Sequence, residues 1–383
     1  MYVHFPWCLK RCAYCDFATS VAKEIPRHAY CEALITDLQL RTRTLQPRPI
    51  ATVFFGGGTP SLWGAPYIAQ VLQWLHNWAG LAPDAEVTLE ANPGAAEAGD
   101  LRAYAAAGIN RFSVGIQALD AARLRALDRV HDVQQARATL QIVGQMLNEG
   151  SLRSASADLI FGVPGQTVPQ LADDVSSVLD YGLPHLSAYA LTVEPGTPLA
   201  RAVAAGKQRA PDDDVQAQML DALPGLVAGF GVARYEVSNY AKPGHHSRHN
   251  WAYWSGDHYL GVGVGAHGFL PAAQLCGQRY ANTRSTQKYL AKLGCGELAT
   301  DFCESINAAT HTTELLLTGL RLTRGVDLAR LDRTIGAGTA QQVVDRARDK
   351  GLLGHPMVSE AGFLRVCPDA VHRLDSLVAA VTE

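Results

Sequence analysis

Over the first 200 residues, short apolar, β-branched runs alternate with longer stretches of helical spacing. That alternation restricts the fold more than any other feature of the 383-residue chain. Strands are expected at YVHFP, TVFFGG, EVTLEAN, NRFSVGIQ, SADLIFG and HLSAYALTV. Between them, helices are expected over Pro26–Leu45, Pro66–Ala79, Ala96–Ala107, Asp120–Ala126, Val133–Leu147 and Val168–Tyr181. Six such units in a row predict a parallel sheet with right-handed crossovers, and the continuous apolar runs suit a sheet covered on both faces.

The rhythm changes after about residue 200. A helix is expected over Asp213–Phe230. A loop rich in histidine, glycine and aromatics follows, PGHHSRHNWAYWSGDHYLGVGVGAHGF. The runs ELLLTGLRL and AQQVVDRARDKGLL read as helices and FLRV as a short strand. A chain of this length exceeds one ordinary core. The expected division is a barrel core over 1–235, a His/aromatic-rich connecting segment over 236–300 and a helical, winged-helix-like module over 301–383.

Each strand ends in residues with chemical potential. A cysteine loop follows the first and GGGTP the second. Glu90 lies late in the third, Gln117 ends the fourth, and GVPGQT follows the fifth. In barrel-like parallel sheets, ligands bind at the carboxyl ends of the strands, so these features predict one site.

The cysteine loop is the most specific of them. Cys8, Cys12 and Cys15 are spaced C-x3-C-x2-C, with no cysteine in the DFATS that follows. Three thiols can form one disulfide with a spare, bind zinc with a fourth ligand such as His4, or hold an iron–sulfur cluster. Cys31 falls in an expected helix and reads as a core residue. The compartment bears on the choice. No apolar run reaches the roughly 18 residues that span a bilayer, and YLGVGVGAHGFL is interrupted by His267. Lys10 and Arg11 follow the apolar residues of the N-terminus, the reverse of a secretion signal. A cytoplasmic protein is expected, where thiols stay reduced. A four-iron cluster on three thiolates leaves one iron open to a substrate or cofactor. A net charge of −3 argues against a nucleic-acid partner.

C-x3-C-x2-C after a strand, with aromatic Tyr14 before the last cysteine, resembles the signature of the radical S-adenosylmethionine (SAM) superfamily. The resemblance implies a [4Fe-4S] cluster on Cys8, Cys12 and Cys15. It also implies SAM chelated at the open iron, where an electron from the cluster yields a 5′-deoxyadenosyl radical. The implied fold is an α/β partial (β/α)6 barrel, here followed by the smaller C-terminal module. Read from the residues alone, GGGTP is a tight turn or a cradle whose N–H groups meet an anion. Glu90 is a buried carboxylate that pairs with Arg111 or Arg129, or with a ligand. Gln117, Arg129 and Asp158 invite the same two readings.

YVHFPWC, GGGTPS, TLEANPG, SVGIQALD, DLIFGVPGQT, YALTVEPGTPL, RYEVSNYA and HNWAYW narrow the resemblance. They resemble the branch that holds oxygen-independent coproporphyrinogen III dehydrogenases and haem chaperones. By motif position this implies SAM contacts at Tyr2, Gly57, Gly58, Thr59, Glu90, Gln117, Arg129 and Asp158, with Tyr14 beside the cluster. Dehydrogenases of the branch carry a further cysteine, giving C-x3-C-x2-C-x-C; here Phe17 stands in that place. HNWAYW matches the H-N-x-x-Y-W motif of the chaperone group. An axial imidazole and flat apolar walls suit haem, which makes His249, Asn250, Tyr253 and Trp254 candidates. His245, His246, His258 and His267 are alternatives, and the aromatics also suit a loop that merely closes the barrel end. Two functions follow from the resemblance. One is a chaperone that carries haem as cargo to an acceptor protein, including a membrane-associated one. The other is a dehydrogenase acting on a propionate side chain of coproporphyrinogen III. No catalytic residue is assigned.

Overall fold

The computed structural model describes residues 1–94, 99–272 and 275–382. β1 (Tyr2–Phe5), β2 (Ile50–Gly57), β3 (Leu81–Ala91), β4 (Arg111–Gln117), β5 (Ser154–Phe161) and β6 (His185–Ala190) pair in parallel in chain order. All six expected strands are therefore present. The helices between them start at defined caps. Asp132 with Gln135, and Thr167 with Gln170, form reciprocal capping boxes that end the preceding loops. The helix expected over Ala96–Ala107 runs from Leu101 to Ala106, with the Asp100 side chain accepting from the Ala103 N–H; Ala96 lies outside the described residues.

Three later strands extend the sheet. β7 (Ala233–Glu236) and β8 (Asn239–Ala241) form an antiparallel hairpin on the β6 edge, and β9 (Gly261–Val262) pairs in parallel with β1. The order is β9-β1-β2-β3-β4-β5-β6-β8-β7, without closure of β9 on β7. Residues of the connecting segment beyond 235 thus supply both β8 and β9.

The strands are not apolar on both faces. Val87, Leu89 and Ala91 of β3, Phe112, Val114 and Ile116 of β4, and Ala155, Ala157 and Leu159 of β5 pack in the main core. The alternate residues Glu90, Arg111, Ser113, Asp158 and Ser187 line a cavity instead. Residues of β1 to β6 line this one cavity, so the sheet curls round a polar lumen.

A second, antiparallel sheet of His267–Ala272, Leu275–Asn282 and Thr300–Ile306 was not expected from sequence. It is tied to the Arg27–Thr42 helix by buried Asp37. That carboxylate accepts from Arg41 Nε at 2.8 Å, Tyr289 Oη at 2.8 Å and Asn282 Nδ2 at 3.0 Å. The C-terminal module combines helices with a three-stranded sheet and has its own core, including Leu316, Val343, Met357, Leu364 and Val381. Among the described residues no helix is long and apolar enough to cross a membrane.

Candidate functional site

The polar lumen opens into a cavity of about 510 Å³, within the range of ligand pockets. At the carboxyl ends of the strands it is lined by Cys8, Cys12 and Cys15; at the opposite end it is lined by His249, Asn250 and Tyr253. Tyr2, Tyr14, Gly57, Gly58, Thr59, Glu90, Gln117, Arg129 and Asp158 line it between them. Of the residues assigned from sequence to the cluster, SAM and haem, Trp254 is the one not brought to this cavity. Its ring lies under the Arg321 guanidinium, 4.5 Å from it, beside the C-terminal module.

The cysteine loop leaves β1 and crosses the mouth. All three thiols are half-buried. His4, the fourth ligand a zinc site would need, has both ring nitrogens engaged: Nδ1 with Tyr2 Oη at 2.9 Å and Nε2 with the Ala18 carbonyl at 3.0 Å. Burial pushes its pKa down to about 4, so the imidazole is neutral. Cys31 is buried on its helix, its thiol directed at Gln70 Oε1. Neither His4 nor Cys31 therefore joins the three thiols that line the mouth, and three thiols are the number a four-iron cluster with one open iron would take. Arg129 is not a surface cation. Its Nη1 donates to Cys12 Sγ at 3.3 Å, and its Nη2 donates to Asn92 Oδ1 at 2.6 Å and to the Gly115 carbonyl at 3.2 Å. It also donates to the Tyr14 hydroxyl.

The glycine-rich segment is built for close approach of backbone. Gly57 has φ +119°, and a Cβ there would lie 2.6 Å from the His4 ring; a Cβ on Gly58 would lie 2.6 Å from the Trp7 carbonyl oxygen. Its N–H groups are committed within the protein: Gly57 to Glu90 Oε2 at 2.9 Å, Gly58 to the Phe5 carbonyl and Thr59 to the Trp7 carbonyl. The anion cradle allowed by the sequence is therefore not formed.

Glu90 pairs with neither Arg111 nor Arg129; Gly57 N–H is its hydrogen-bond donor. Burial, offset in part by that bond, pushes its pKa up to about 8. A buried carboxylate in this state favours a cationic or hydroxyl-bearing ligand. Asp158 accepts from Ser113 at 2.9 Å and Ser156 at 3.0 Å, and also from Ser187. Burial still raises its pKa. Gln117 ends β4 at φ +65°, a left-handed conformation that a non-glycine residue adopts at some cost and that turns the chain at the cavity wall.

The segment expected to be a loop around HNWAYW contains a helix, Arg248–Trp254, capped by Ser247, whose Oγ accepts from the Asn250 N–H. It closes the amino-terminal end of the sheet. The His249 N–H donates to Glu86 Oε1 at 2.9 Å, and His249 Nδ1 lies 2.8 Å from Thr52 Oγ1. Thr52 and Glu86 are register partners at the start of β2 and late in the approach to the β3 core. His249 Nε2 bonds the hydroxyl of Tyr253, one helical turn on, at 3.0 Å, and the ring stacks on Phe54 at 5.0 Å. Burial pushes the His249 pKa well below its ordinary value, with the N-terminal amine and Arg111 adding to the effect. The alternatives sit elsewhere. His245 bonds Ser154 Oγ, His246 stacks on Tyr235 and Trp251, His258 packs at a tilt against Phe269, and His267 is exposed on the second sheet.

Asn92 and Ser113 were missed in sequence. Asn92 Nδ2 donates to Thr59 Oγ1 at 3.1 Å while its Oδ1 accepts from Arg129, so it links two strand ends. The signal was present: Ser113 is two residues after Arg111 and so shares the lumen face of β4, and Asn92 directly follows β3, two residues after Glu90.

Residues 2–178 match the family model described as Radical SAM superfamily. The chain is 38% identical to Heme chaperone HemW of Mycobacterium tuberculosis over 335 residues, 86% of this chain and 83% of that protein. HemW of Escherichia coli is 38% identical over 269 residues, 70% of this chain and 69% of that one. Radical S-adenosyl methionine domain-containing protein 1, mitochondrial, of Danio rerio is 34% identical over 386 residues, 100% of this chain and 86% of that one. Among solved structures, coproporphyrinogen III oxidase (HemN) from Escherichia coli superposes with a TM-score of 0.80 over 99% of this chain and 89% of that one. The two are 18% identical, so the likeness is one of fold.

Proposed function

The chain belongs to the radical SAM superfamily, in the group of Heme chaperone HemW, and on that basis we propose that it binds a [4Fe-4S] cluster, SAM and haem and passes haem to an acceptor protein. The observation that carries this reading is one cavity lined at one end by Cys8, Cys12 and Cys15 and at the other by His249, Asn250 and Tyr253. The three cysteines would hold the cluster. Tyr2, Tyr14, Gly57, Gly58, Thr59, Glu90, Gln117, Arg129 and Asp158 would surround SAM, which supplies a reducible sulfonium beside the cluster. Glu90, Asn92 and Arg129 offer the carboxylate, amide and guanidinium that fix a zwitterionic ligand, and Tyr14 shields the mouth. The Arg248–Trp254 helix would hold haem through His249, with Trp254 bracing it from outside. Transfer is proposed from the cytoplasm, to an acceptor of the class of membrane-associated haem enzymes.

The dehydrogenase reading is not favoured. The curated relatives quoted above are named for haem chaperoning or for the radical SAM domain, and HemN shares the fold at 18% identity. Phe17, 59% exposed on the cavity rim, stands where the dehydrogenases of the branch carry a cysteine.

The test uses the full chain, reconstituted anaerobically with iron and sulfide. Haem is titrated into one portion and apomyoglobin is added as a generic acceptor. The other portion is reduced and given SAM with coproporphyrinogen III. A Soret shift followed by transfer, with the porphyrinogen unconverted, is expected. Protoporphyrinogen in the second portion would overturn the reading.

A further inference from the structure

Arg111 opens β4 and is 3% exposed, yet it lines the cavity. Other arginines at similar depth have carboxylates: Arg41 pairs with Asp37 at 2.8 Å and Arg123 with Asp174 at 2.7 Å. Among the described residues the Arg111 side chain forms no ion pair and no hydrogen bond, and its Nε is buried without a partner. Asp158 acts on it electrostatically, but that carboxylate is held by Ser113, Ser156 and Ser187. Its charge also acts on Tyr235 and on three histidines, His185, His245 and His249, whose protonation it opposes. A buried cation without a counter-ion is costly to keep, which is the signature of a site completed by an anion.

The register locates the anion. Arg111 pairs with Thr88, Thr88 with Phe54, and Phe54 with Tyr2. Arg111 is therefore in the layer of the two rings that stack with His249. Glu90 and Ser113 form the next inward layer towards the cysteines, about 7 Å up the strands. The carboxylate of SAM, chelated at the open iron in this superfamily, belongs to the cysteine end. A different carboxylate is needed at the floor. Asn250, whose side-chain amide lines the same floor, makes no hydrogen bond through that amide among the described residues.

We propose that the cavity floor is a carboxylate subsite in which Arg111, seconded by Asn250, holds a propionate of a porphyrin-class ligand. This rests on the haem reading above and specifies its geometry. The flat rings of Phe54 and Tyr2 take the edge of the macrocycle, and the guanidinium takes the acid group in bidentate fashion.

The experiment compares haem with haem dimethyl ester, which lacks free carboxylates, in spectral titrations of the full chain and of Arg111→Gln and Arg111→Lys. The unsubstituted protein should bind the diacid about tenfold to a hundredfold more tightly than the ester. Arg111→Gln should bind the two equally, and Arg111→Lys should keep part of the preference. A preference unchanged in Arg111→Gln, or absent from the unsubstituted protein, overturns the subsite while leaving the haem reading standing. Failure to bind either porphyrin removes both. Thermal unfolding of Arg111→Met supplies a second check. Removing an unpartnered buried charge should leave the midpoint unchanged or raise it, and a clear fall would show that the guanidinium has a structural partner and sink the proposal.

Discussion

Arg129 lies 3.3 Å from Cys12 Sγ through one terminal nitrogen. Its other terminal nitrogen bonds Asn92, just past the end of β3, and the carbonyl of Gly115 in β4. One cation thus ties the cysteine loop to the sheet and places a positive charge beside the Cys12 sulfur. Hydrogen bonds and positive charge at cluster sulfur stabilise the reduced form. Arg129→Gln should therefore shift the cluster midpoint to a more negative potential in a dye-mediated titration and hasten loss of iron in air. A midpoint that does not move would show that the contact is lost when the cluster is present.

Cys12 and Cys31 make a paired test of the ligand assignment. Cys12→Ala should lower bound iron and sulfide of the reconstituted protein to near background. Cys31→Ala should leave both unchanged, because that thiol is packed in the core against Gln70, and should cost only about 1 kcal/mol of stability. Equal iron content in the two variants would reassign the cluster.

Glu90 predicts an unusual pH dependence. Its pKa is pushed up to about 8 from an ordinary value of 4.5. The neutral form is favoured in the fold, so its stabilising contribution is full below about pH 4.5 and is lost as pH rises through about 8. The loss is on the order of a few kcal/mol. Denaturant unfolding of the cofactor-free protein should weaken over this window, and Glu90→Gln should flatten the slope. A ligand whose ammonium group pairs with this carboxylate takes it ionised, so SAM binding near pH 7 should release close to one proton. Calorimetry in buffers of different ionisation enthalpy measures this directly; an uptake, or no exchange, would place the ammonium elsewhere.

Much of this site was legible because parallel strands repeat their chemistry at fixed spacing. Glu90, Gln117 and Asp158 stood out as polar residues in apolar runs, and the curled sheet brings all three to one cavity. The polar lumen was less legible. Ser113 and Arg111 look ordinary in sequence until one face of β4 is known to border a cavity. The second sheet was not legible at all. Thr300–Ile306 is mostly exposed and carries no apolar alternation, and β9 is a two-residue strand that meets β1 from 259 residues away. Such pairings depend on tertiary context that local pattern does not contain. The same limit applies to His249. Its bond to Tyr253, four residues on, could be anticipated on a helix, but its bond to Thr52, 197 residues away, could not.

That pair of bonds yields the last prediction. With Nδ1 held by Thr52 and Nε2 by Tyr253, His249 can ligate haem iron through Nε2 only when the Tyr253 hydroxyl moves away. Tyr253→Phe removes the competing bond while keeping the ring. If His249 is the axial ligand, haem should bind this variant severalfold more tightly, at a stability cost of about 1 kcal/mol for the lost hydrogen bond. His249→Ala should abolish the low-spin Soret shift and lower stability by about 2–4 kcal/mol, because it empties the space beneath Phe54 and leaves the Thr52 hydroxyl without its partner. Thermal unfolding and haem titration of both variants separate ligation from packing. Two variants that differ in stability but share the haem spectrum of the unsubstituted chain would assign the helix to closing the barrel, and iron ligation to another histidine.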